Sequence, residues 1–467
     1  MNTIFQFFNI SLIYGVGYLF VRALSFLLLP LYTNILSIED AGIVFIIYTA
    51  LAFLNTIYNH GMDSSLLKFF NEENREKIIT TSIVYSLFFG LIFSIIIMIL
   101  NYFFNDVSFL YWAANHQYVV FFFCSVLFCD MLSSRTMNIL RLIDRPYYFL
   151  FVSFISVLVS FVCNFYFIKF LDSGPEGVVM SLFIASLVQL FFLSPIIFQH
   201  FNLKSFDFSL LKKMLLFAFP FFPASLFFVL VELSDRWMLG WLSSITSVGL
   251  YGAGYKFGSL VMMVVLGFNL SWQPFYLKQN QNIRYLELIG NVFMITLIFI
   301  STLLSCFWPI LIKVSFFGYS IIGENFWLGG EIIPIIAISY TFYGLFILQM
   351  PSIYIKNKQR WIPVIWGLGL IINLIGNYFL IQLLDFKGAA ISSLLTYCFM
   401  SIFLFLKNRF WFPLSYDYYR FLKVVFFSAV MVLITSFENL YLAGLSISLY
   451  IIFIFHNINF FIKTKYE

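Results

Sequence analysis

Charge is what this sequence has least of. Only 10% of its 467 residues are Asp, Glu, Lys or Arg, against about 25% in soluble domains. An ordinary water-exposed surface cannot be built from so few charges. Histidine is also scarce, with four in the chain. The five cysteines, Cys124, Cys129, Cys163, Cys306 and Cys398, lie singly in apolar runs, with no CxxC pair and no histidine at ligand spacing. They predict small core-filling residues and argue against a metal or redox site. No GxxxxGK[ST] motif is present, which excludes nucleotide binding through a P-loop. There is no DxD pair to hold a nucleotide-sugar metal, and no extramembrane segment reaches about 25 residues. Together these absences exclude a soluble catalytic domain.

Hydrophobic residues are abundant, at 62% of the chain, and aromatics reach 22%, with 65 Phe. A spanning helix takes roughly 20 apolar residues, because the hydrocarbon core is about 30 Å thick. The runs predict fourteen such helices, at residues 12–36, 41–58, 79–101, 115–134, 148–170, 178–198, 214–240, 249–272, 288–312, 331–352, 362–382, 388–406, 422–438 and 440–462. The runs are too long and too little alternated for a transmembrane barrel. The fold class expected is therefore all-α and polytopic. The segment Met1–Leu12 holds no Lys or Arg, so it does not read as a cleavable signal, and the first helix is expected to be retained.

The placement of Lys and Arg orients these helices. Alternate loops and the end after the last helix hold twenty of the 26 basic residues, among them Lys68, Arg75, Arg135, Arg141, Lys204, Lys278, Arg360, Lys407, Arg420 and Lys463. The opposite loops hold three: Lys169, Lys313 and Lys387. The positive-inside rule puts the rich set, and both termini, in the cytoplasm. The expected location is the bacterial inner membrane. The remaining three, Arg22, Arg236 and Lys256, fall inside predicted spans.

The two halves repeat each other. Asn164 to Asp172 and Asn377 to Asp385 share Asn and Leu-Asp at the same spacing, 213 residues apart. Gly177-Val-Val-Met-Ser181 parallels Gly388-Ala-Ala-Ile-Ser392. Leu36-Ser37, Gly42 and Tyr48 parallel Leu242-Ser243, Gly249 and Tyr255, with one extra residue. Six helices per copy give both copies the same orientation, the pattern of a parallel transporter repeat with its site between the halves. The expected domains are residues 1–200, 201–407 and an added helix pair at 408–467.

Ionisable groups inside spans are costly and point to function. Arg22 lies near the middle of the first helix, too deep for easy snorkelling. Glu232 and Arg236 are four apart and able to pair, with Asp235 beside them. Pro220 and Pro223 lie lower in the same helix and should kink it. Asp63 and Asp130 sit near predicted cytoplasmic helix ends, where Asp63 is a candidate gate residue. Trp112, Trp241, Trp272 and Trp327 fit an interfacial aromatic belt. Arg22, Arg236 and Lys256, if they face one another, form a cationic pocket suited to phosphate oxygens.

Several motifs carry a resemblance. The run Arg22-Ala-Leu-Ser-Phe-Leu-Leu-Leu-Pro30 through Gly42 resembles the first-helix pattern of Wzx-type oligosaccharide flippases, in the multidrug/oligosaccharidyl-lipid/polysaccharide exporter superfamily. Gly61-Met-Asp63-Ser-Ser-Leu-Leu-Lys68 resembles the next loop, with Lys68 where Arg is usual. Asp235-Arg236, Gly249-Leu-Tyr251-Gly-Ala-Gly-Tyr255-Lys256, Asn373 to Asn377 and Gly388 to Ser392 follow in the family's order. The resemblance implies two six-helix lobes in a V, alternating access around a cationic cavity. It implies flipping of undecaprenyl-diphosphate-linked oligosaccharide to the periplasmic leaflet for O-antigen or another surface polysaccharide. Arg22, Arg236 and Lys256 would bind the pyrophosphate. Asp235 and Glu232 would be candidates for coupling to H⁺ or Na⁺, with no other cofactor. Partners would be the lipid-linked substrate, membrane lipid, a polysaccharide polymerase and a chain-length regulator, and no nucleic acid. Three other readings stay open, one of them a lipid scramblase with no energy coupling. A drug antiporter of the same superfamily should carry buried carboxylates in its first lobe, whereas the first helix here carries an arginine. A membrane-embedded polymerase or ligase should carry a large outer loop, whereas the loop around Lys313 to Gly330 is short.

Overall fold

The computed structural model describes residues 26–70, 74–103, 117–278, 283–316, 318–414, 416–435 and 440–463. Arg22 and Trp112 lie outside them. The described residues are almost entirely helical, and the chain divides into two compact units, Met1–Arg236 and Trp237–Glu467. Eleven described helices are long and apolar enough to cross a membrane. The fold is that of an all-α, multi-pass membrane protein.

In unit 1 the helices are α1 (Leu28–Ile35), α2 (Ile38–Asn59), α3 (Met62–Phe69), α4 (Arg75–Phe103), α5 (Gln117–Leu142), α6 (Pro146–Lys169), α7 (Gly174–His200) and α8 (Phe208–Ala218). Helix α9 (Phe222–Leu242) leads out of it. Unit 2 holds α10 (Ile245–Gly258), α11 (Leu260–Lys278), α12 (Ile283–Leu311), α13 (Ile333–Leu348), α14 (Met350–Ile355), α15 (Trp361–Leu384), α16 (Phe386–Trp411), α17 (Tyr418–Thr435) and α18 (Leu440–Lys463). The last two pack on α12. Between α12 and α13, Ser315–Phe316 pairs antiparallel with Tyr319–Ser320, and a 3₁₀ segment follows at Glu324–Ile332.

Local chemistry sets the breaks. Ser37 caps α2 by accepting from the Asp40 amide at 3.0 Å, with Glu39 and Asp40 in the first turn where the helix dipole favours acids. The same helix ends at His60 and Gly61, both left-handed, and a methyl on Gly61 would overlap the carbonyl oxygen of Ala218. Only glycine serves there. Pro220 and Pro223 act as expected: a 3₁₀ turn at Phe219–Phe221 separates α8 from α9. The predicted helix at 249–272 is not continuous. It breaks at Ser259, whose hydroxyl donates to the Lys256 carbonyl at 2.8 Å, and Gly258 packs too closely on Ile336 to admit a side chain.

The internal repeat is visible in backbone detail. Helix α5 ends with Asp144 left-handed and α14 ends with Asn357 left-handed, 213 residues later. Each closes with the same six-residue bond, Arg145 N to Leu140 O at 3.0 Å and Lys358 N to Ile353 O at 2.7 Å. Asp172 and Asp385 are both left-handed as well. Ser244, rather than Ser243, caps α10. That choice removes the extra residue and aligns Ser37, Gly42 and Tyr48 with Ser244, Gly249 and Tyr255 at one constant offset. Asn164 and Asn377 are both fully buried. Asn164 accepts from Tyr32 at 3.0 Å, and Asn377 donates to Asn373 at 2.9 Å.

Two other expectations change. Arg135, counted among loop cations, lies two turns inside α5 and is buried, because the apolar pattern of that helix continues through Ile139 and Leu140. Trp272, assigned to the interfacial belt, is buried and stacks on Phe268. Trp241 is 88% exposed, as the belt requires.

Candidate functional site

Unit 1 contains a polar cavity of about 620 Å³. Among the described residues, three charged side chains line it: Asp63, Asp130 and Arg135. Helix α2 contributes Asn55 and Asn59, one turn apart, and the next turn of that stripe falls on Asp63 in α3. Helix α5 contributes Asp130, Ser133, Ser134 and Arg135, and α7 contributes Gln189. Phe221 and Ser225 close one wall.

The charges fall into two groups. Arg135 Nη1 lies 2.5 Å from Asp63 Oδ1, with the arginine side chain 1% exposed and the aspartate 27%. Its Nε donates to Ser86 at 3.3 Å and its Nη2 to the Asn59 carbonyl at 3.4 Å. Asn59 donates to the other Asp63 oxygen. Beside this pair, Tyr85 and the His60 ring nitrogen Nε2 are 2.9 Å apart. A buried ion pair costs desolvation unless hydrogen bonds complete it, and these bonds do so.

Asp130 is different. Ser186 donates to one carboxylate oxygen at 2.7 Å and Asn55 to the other at 3.3 Å. Both partners are neutral. Among the described residues no Lys, Arg or His forms an ion pair with it. Ser133 Oγ and Asn59 Oδ1, on the same cavity, are buried without a hydrogen-bond partner.

The residues chosen from sequence fall elsewhere. Arg22 lies outside the described residues. Arg236 is buried, with Nη1 3.1 Å from both the Asp235 carboxylate and the Glu232 main-chain oxygen. Asp235 is fully buried, and Glu232 is also buried. Lys256 is half-buried in the last turn of α10. Of the chosen set, the structure brings Asp235 and Arg236 together, and of these residues only Asp63 lines the cavity. Asp130, read from sequence as a helix end, and Arg135, read as a loop cation, both line the cavity. The Asn55, Asn59, Asp63 stripe at four-residue spacing was the available signal. Against the expectation for a drug antiporter, the first lobe does hold a partly buried carboxylate, Asp130 on α5.

A family model described as polysaccharide biosynthesis protein matches residues 9–279. No curated protein sequence matches the chain. Among solved structures, the chain is similar to the lipid II flippase MurJ in an inward closed conformation, at 16% identity, with 97% of this chain and 99% of that one covered and a TM-score of 0.74. It is similar to an inward-facing MATE multidrug transporter of the MOP superfamily, at 14% identity, 83% and 94% coverage and TM-score 0.67. It also resembles the Vibrio cholerae MATE transporter VcmN in its bent form, at 12% identity, 86% and 95% coverage and TM-score 0.52. At such identities these likenesses establish the fold.

Proposed function

The chain belongs to the polysaccharide biosynthesis protein family, and from that premise we propose that it flips an undecaprenyl-diphosphate-linked oligosaccharide from the cytoplasmic to the periplasmic leaflet of the inner membrane. The observation that carries this reading is the family match over residues 9–279 on a fold shared end to end with a lipid II flippase. A flippase must offer a polar path to a hydrated head group while the lipid tail stays in hydrocarbon. The cavity around Asp63, Asp130 and Arg135 supplies polar surface within unit 1.

In this reading Arg22, Arg236 and Lys256 hold the pyrophosphate, since guanidinium groups fork onto phosphate oxygens. Asp235 restrains Arg236 and offsets part of its charge. The product feeds O-antigen or another surface polysaccharide, with a polymerase and a chain-length regulator downstream. Complementation of a strain lacking the gene tests it. Arg22→Glu should abolish surface polysaccharide and Arg22→Lys should keep part of it. Full complementation by Arg22→Glu at normal expression sinks the cationic-pocket assignment.

A second reading, a cation-coupled antiporter of small molecules, draws support from Asp130 and from the MATE folds. Vesicles that transport a cationic dye, from a strain whose polysaccharide is unaffected by loss of the gene, would favour it over the first.

A further inference from the structure

We infer that unit 2 holds one phospholipid of the surrounding bilayer, an anionic one whose head group carries hydroxyls. Its phosphate lies on Arg409, its hydroxyls on Gln349 and Asn408, and its acyl chains in the groove beside them. The inference is independent of which substrate the protein moves. It starts from a small pocket of about 240 Å³ where α13 and α16 end and the chain runs on to α17. Gln349, Phe405, Asn408, Arg409, Leu414 and Tyr416 are among the residues that line it. Gly290 on α12 gives the Tyr416 ring its place, since a methyl on that glycine would overlap the ring.

Two of these side chains are buried with half of their hydrogen-bonding capacity unused. Gln349 is 4% exposed and Asn408 6%. Gln349 Nε2 donates to the Leu345 carbonyl at 3.0 Å and to the Ser401 carbonyl at 3.2 Å. Asn408 Nδ2 donates to the Gln349 carbonyl at 3.2 Å. These bonds fix which way round each amide stands, because a flipped amide would set oxygen against oxygen. Gln349 Oε1 and Asn408 Oδ1 are then left without a hydrogen-bond partner. Buried acceptors without donors are uncommon and costly. A ligand of this pocket must therefore bring donors.

The third group is a cation. Arg409 is exposed, and its guanidinium carbon lies 5.2 Å from the Phe405 ring centroid. Among the described residues no carboxylate forms an ion pair with it. A guanidinium so placed suits a phosphate. An ammonium beside it would add like charge, so the donors come from hydroxyls. The head group specified is one phosphate followed by hydroxyls, as in phosphatidylglycerol. Sites for whole small molecules run from roughly 300 Å³ upward. The smaller pocket here suits a glycerol phosphate better than a diphosphate with sugars behind it.

The pocket continues into an apolar surface. Gln349, Phe405 and Tyr416 also line a groove of about 750 Å³ between α13, α16 and α17. Ile338, Ile402, Val425 and Leu433 line it and are exposed. A polar recess that opens onto an apolar groove fits an amphiphile. The repeat makes the site particular to unit 2. At the offset of the matching helix ends Gln349 corresponds to Thr136. At the offset of Gly177 with Gly388, Asn408 and Arg409 correspond to Ile197 and Phe198. Those unit 1 residues offer neither the charge nor the amides.

The test uses the full purified chain in detergent, stripped of lipid. Dioleoyl phosphatidylglycerol, phosphatidic acid, phosphatidylethanolamine and phosphatidylcholine are titrated in separately. The readouts are the thermal-unfolding midpoint and the number of lipids on the intact chain by native mass spectrometry. Phosphatidylglycerol should raise the midpoint saturably, since a ligand of the native state stabilises it, with one copy held most tightly. Phosphatidic acid, anionic but without head-group hydroxyls, should bind more weakly, and the two zwitterionic lipids more weakly still. Arg409→Gln, at an exposed position, should weaken phosphatidylglycerol about tenfold or more, the loss of one charge-assisted bond. Lys407→Gln removes a neighbouring charge that sits over Trp361 and should leave the affinity near that of the wild type. Asn408→Leu should erase the preference over phosphatidic acid; if it fails to fold, the head-group series and the arginine variant decide. No saturable response to phosphatidylglycerol, equal binding of any of the other three lipids, or equal losses in the two charge variants overturns the site. Displacement of phosphatidylglycerol by a polyprenyl diphosphate also overturns it, and would leave the flippase reading standing.

Discussion

At the fourth helix of each repeat the two units place opposite chemistry in one register. Unit 1 has Asp130 bonded to Ser186, and Arg135 paired with Asp63. Unit 2 has Tyr343 against Tyr397 and Trp366, with Tyr340 beside them and Leu348 where Arg135 stands in unit 1. The second helix follows suit. Asn55, Asn59 and Asp63 correspond to Met262, Leu266 and Leu270. The skeleton is common to both, down to left-handed Asp144 and Asn357 at matching helix ends. Duplication preserves what backbone geometry requires, and the interior side chains are free to diverge once each set satisfies its own polar groups.

The largest effect that bears on this contrast is expected at Arg135. Arg135→Leu installs the unit 2 residue and leaves Asp63 without its ion-pair partner. It should cost about 3–5 kcal/mol of stability, as breaking a buried pair does. The double variant Arg135→Leu with Asp63→Asn should recover a large part, because no charge is then stranded. A thermal-unfolding cycle on the four proteins measures the coupling. A coupling near zero would mean that the pair is not what holds α3 to α5.

The next effect tests the shared skeleton. Asn164→Ala and Asn377→Ala each remove a buried amide that bonds within its own unit. Each should cost about 1–3 kcal/mol, the range for stranding a buried hydrogen-bond partner. Similar losses in the two variants, read by unfolding, would support equivalent structural roles. A loss confined to one would show that the repeat holds in sequence but not in energy.

The smallest effect lies where the chain leaves α7 for α8. The Asp207 carboxylate caps α8, accepting from the Ser209 amide at 2.8 Å and the Leu210 amide at 3.1 Å. Bonds from the Ser209 side chain, then from the Leu210 amide, hold its pKa below the usual carboxylate value, with Lys77 adding a smaller pull. A depressed carboxylate contributes stability that is present above its unfolded pKa, near 3.9, and is lost as pH falls through the lower folded value. Asp207→Asn should remove that acid-side dependence and lose, at neutral pH, the small increment that the charge supplies, while its amide oxygen keeps the cap. An identical acid limb in both proteins would show that the cap does not titrate with folding.

Much of the architecture was readable in the residues. Spans of apolar sequence, the alternation of basic loops and the Asn164/Asn377 and Asp172/Asp385 matches pointed to the helices and the repeat. These signals are local or periodic, so they survive without knowledge of contacts. The candidate site was less readable. Arg135 and Asp130 sit near the end of an apolar run, and charge near a helix end reads as solvated. Only the packing of α2, α3 and α7 against α5 shows that α5 stays buried past that point. The break at Ser259 was also hidden, because it depends on Ile336 pressing against Gly258.

By itself, then, the sequence determined that this is an all-α chain of membrane-spanning helices with a duplicated plan, because hydrophobic length and turn chemistry are properties of short segments. Tertiary structure alone decided which ionisable groups meet. It took Arg135 out of the cytoplasmic count and paired it with Asp63. It left Asp130 among neutral donors, and it filled the corresponding space of unit 2 with tyrosines. Those outcomes rest on contacts between residues far apart in the chain, in surroundings where electrostatic energies change steeply with burial.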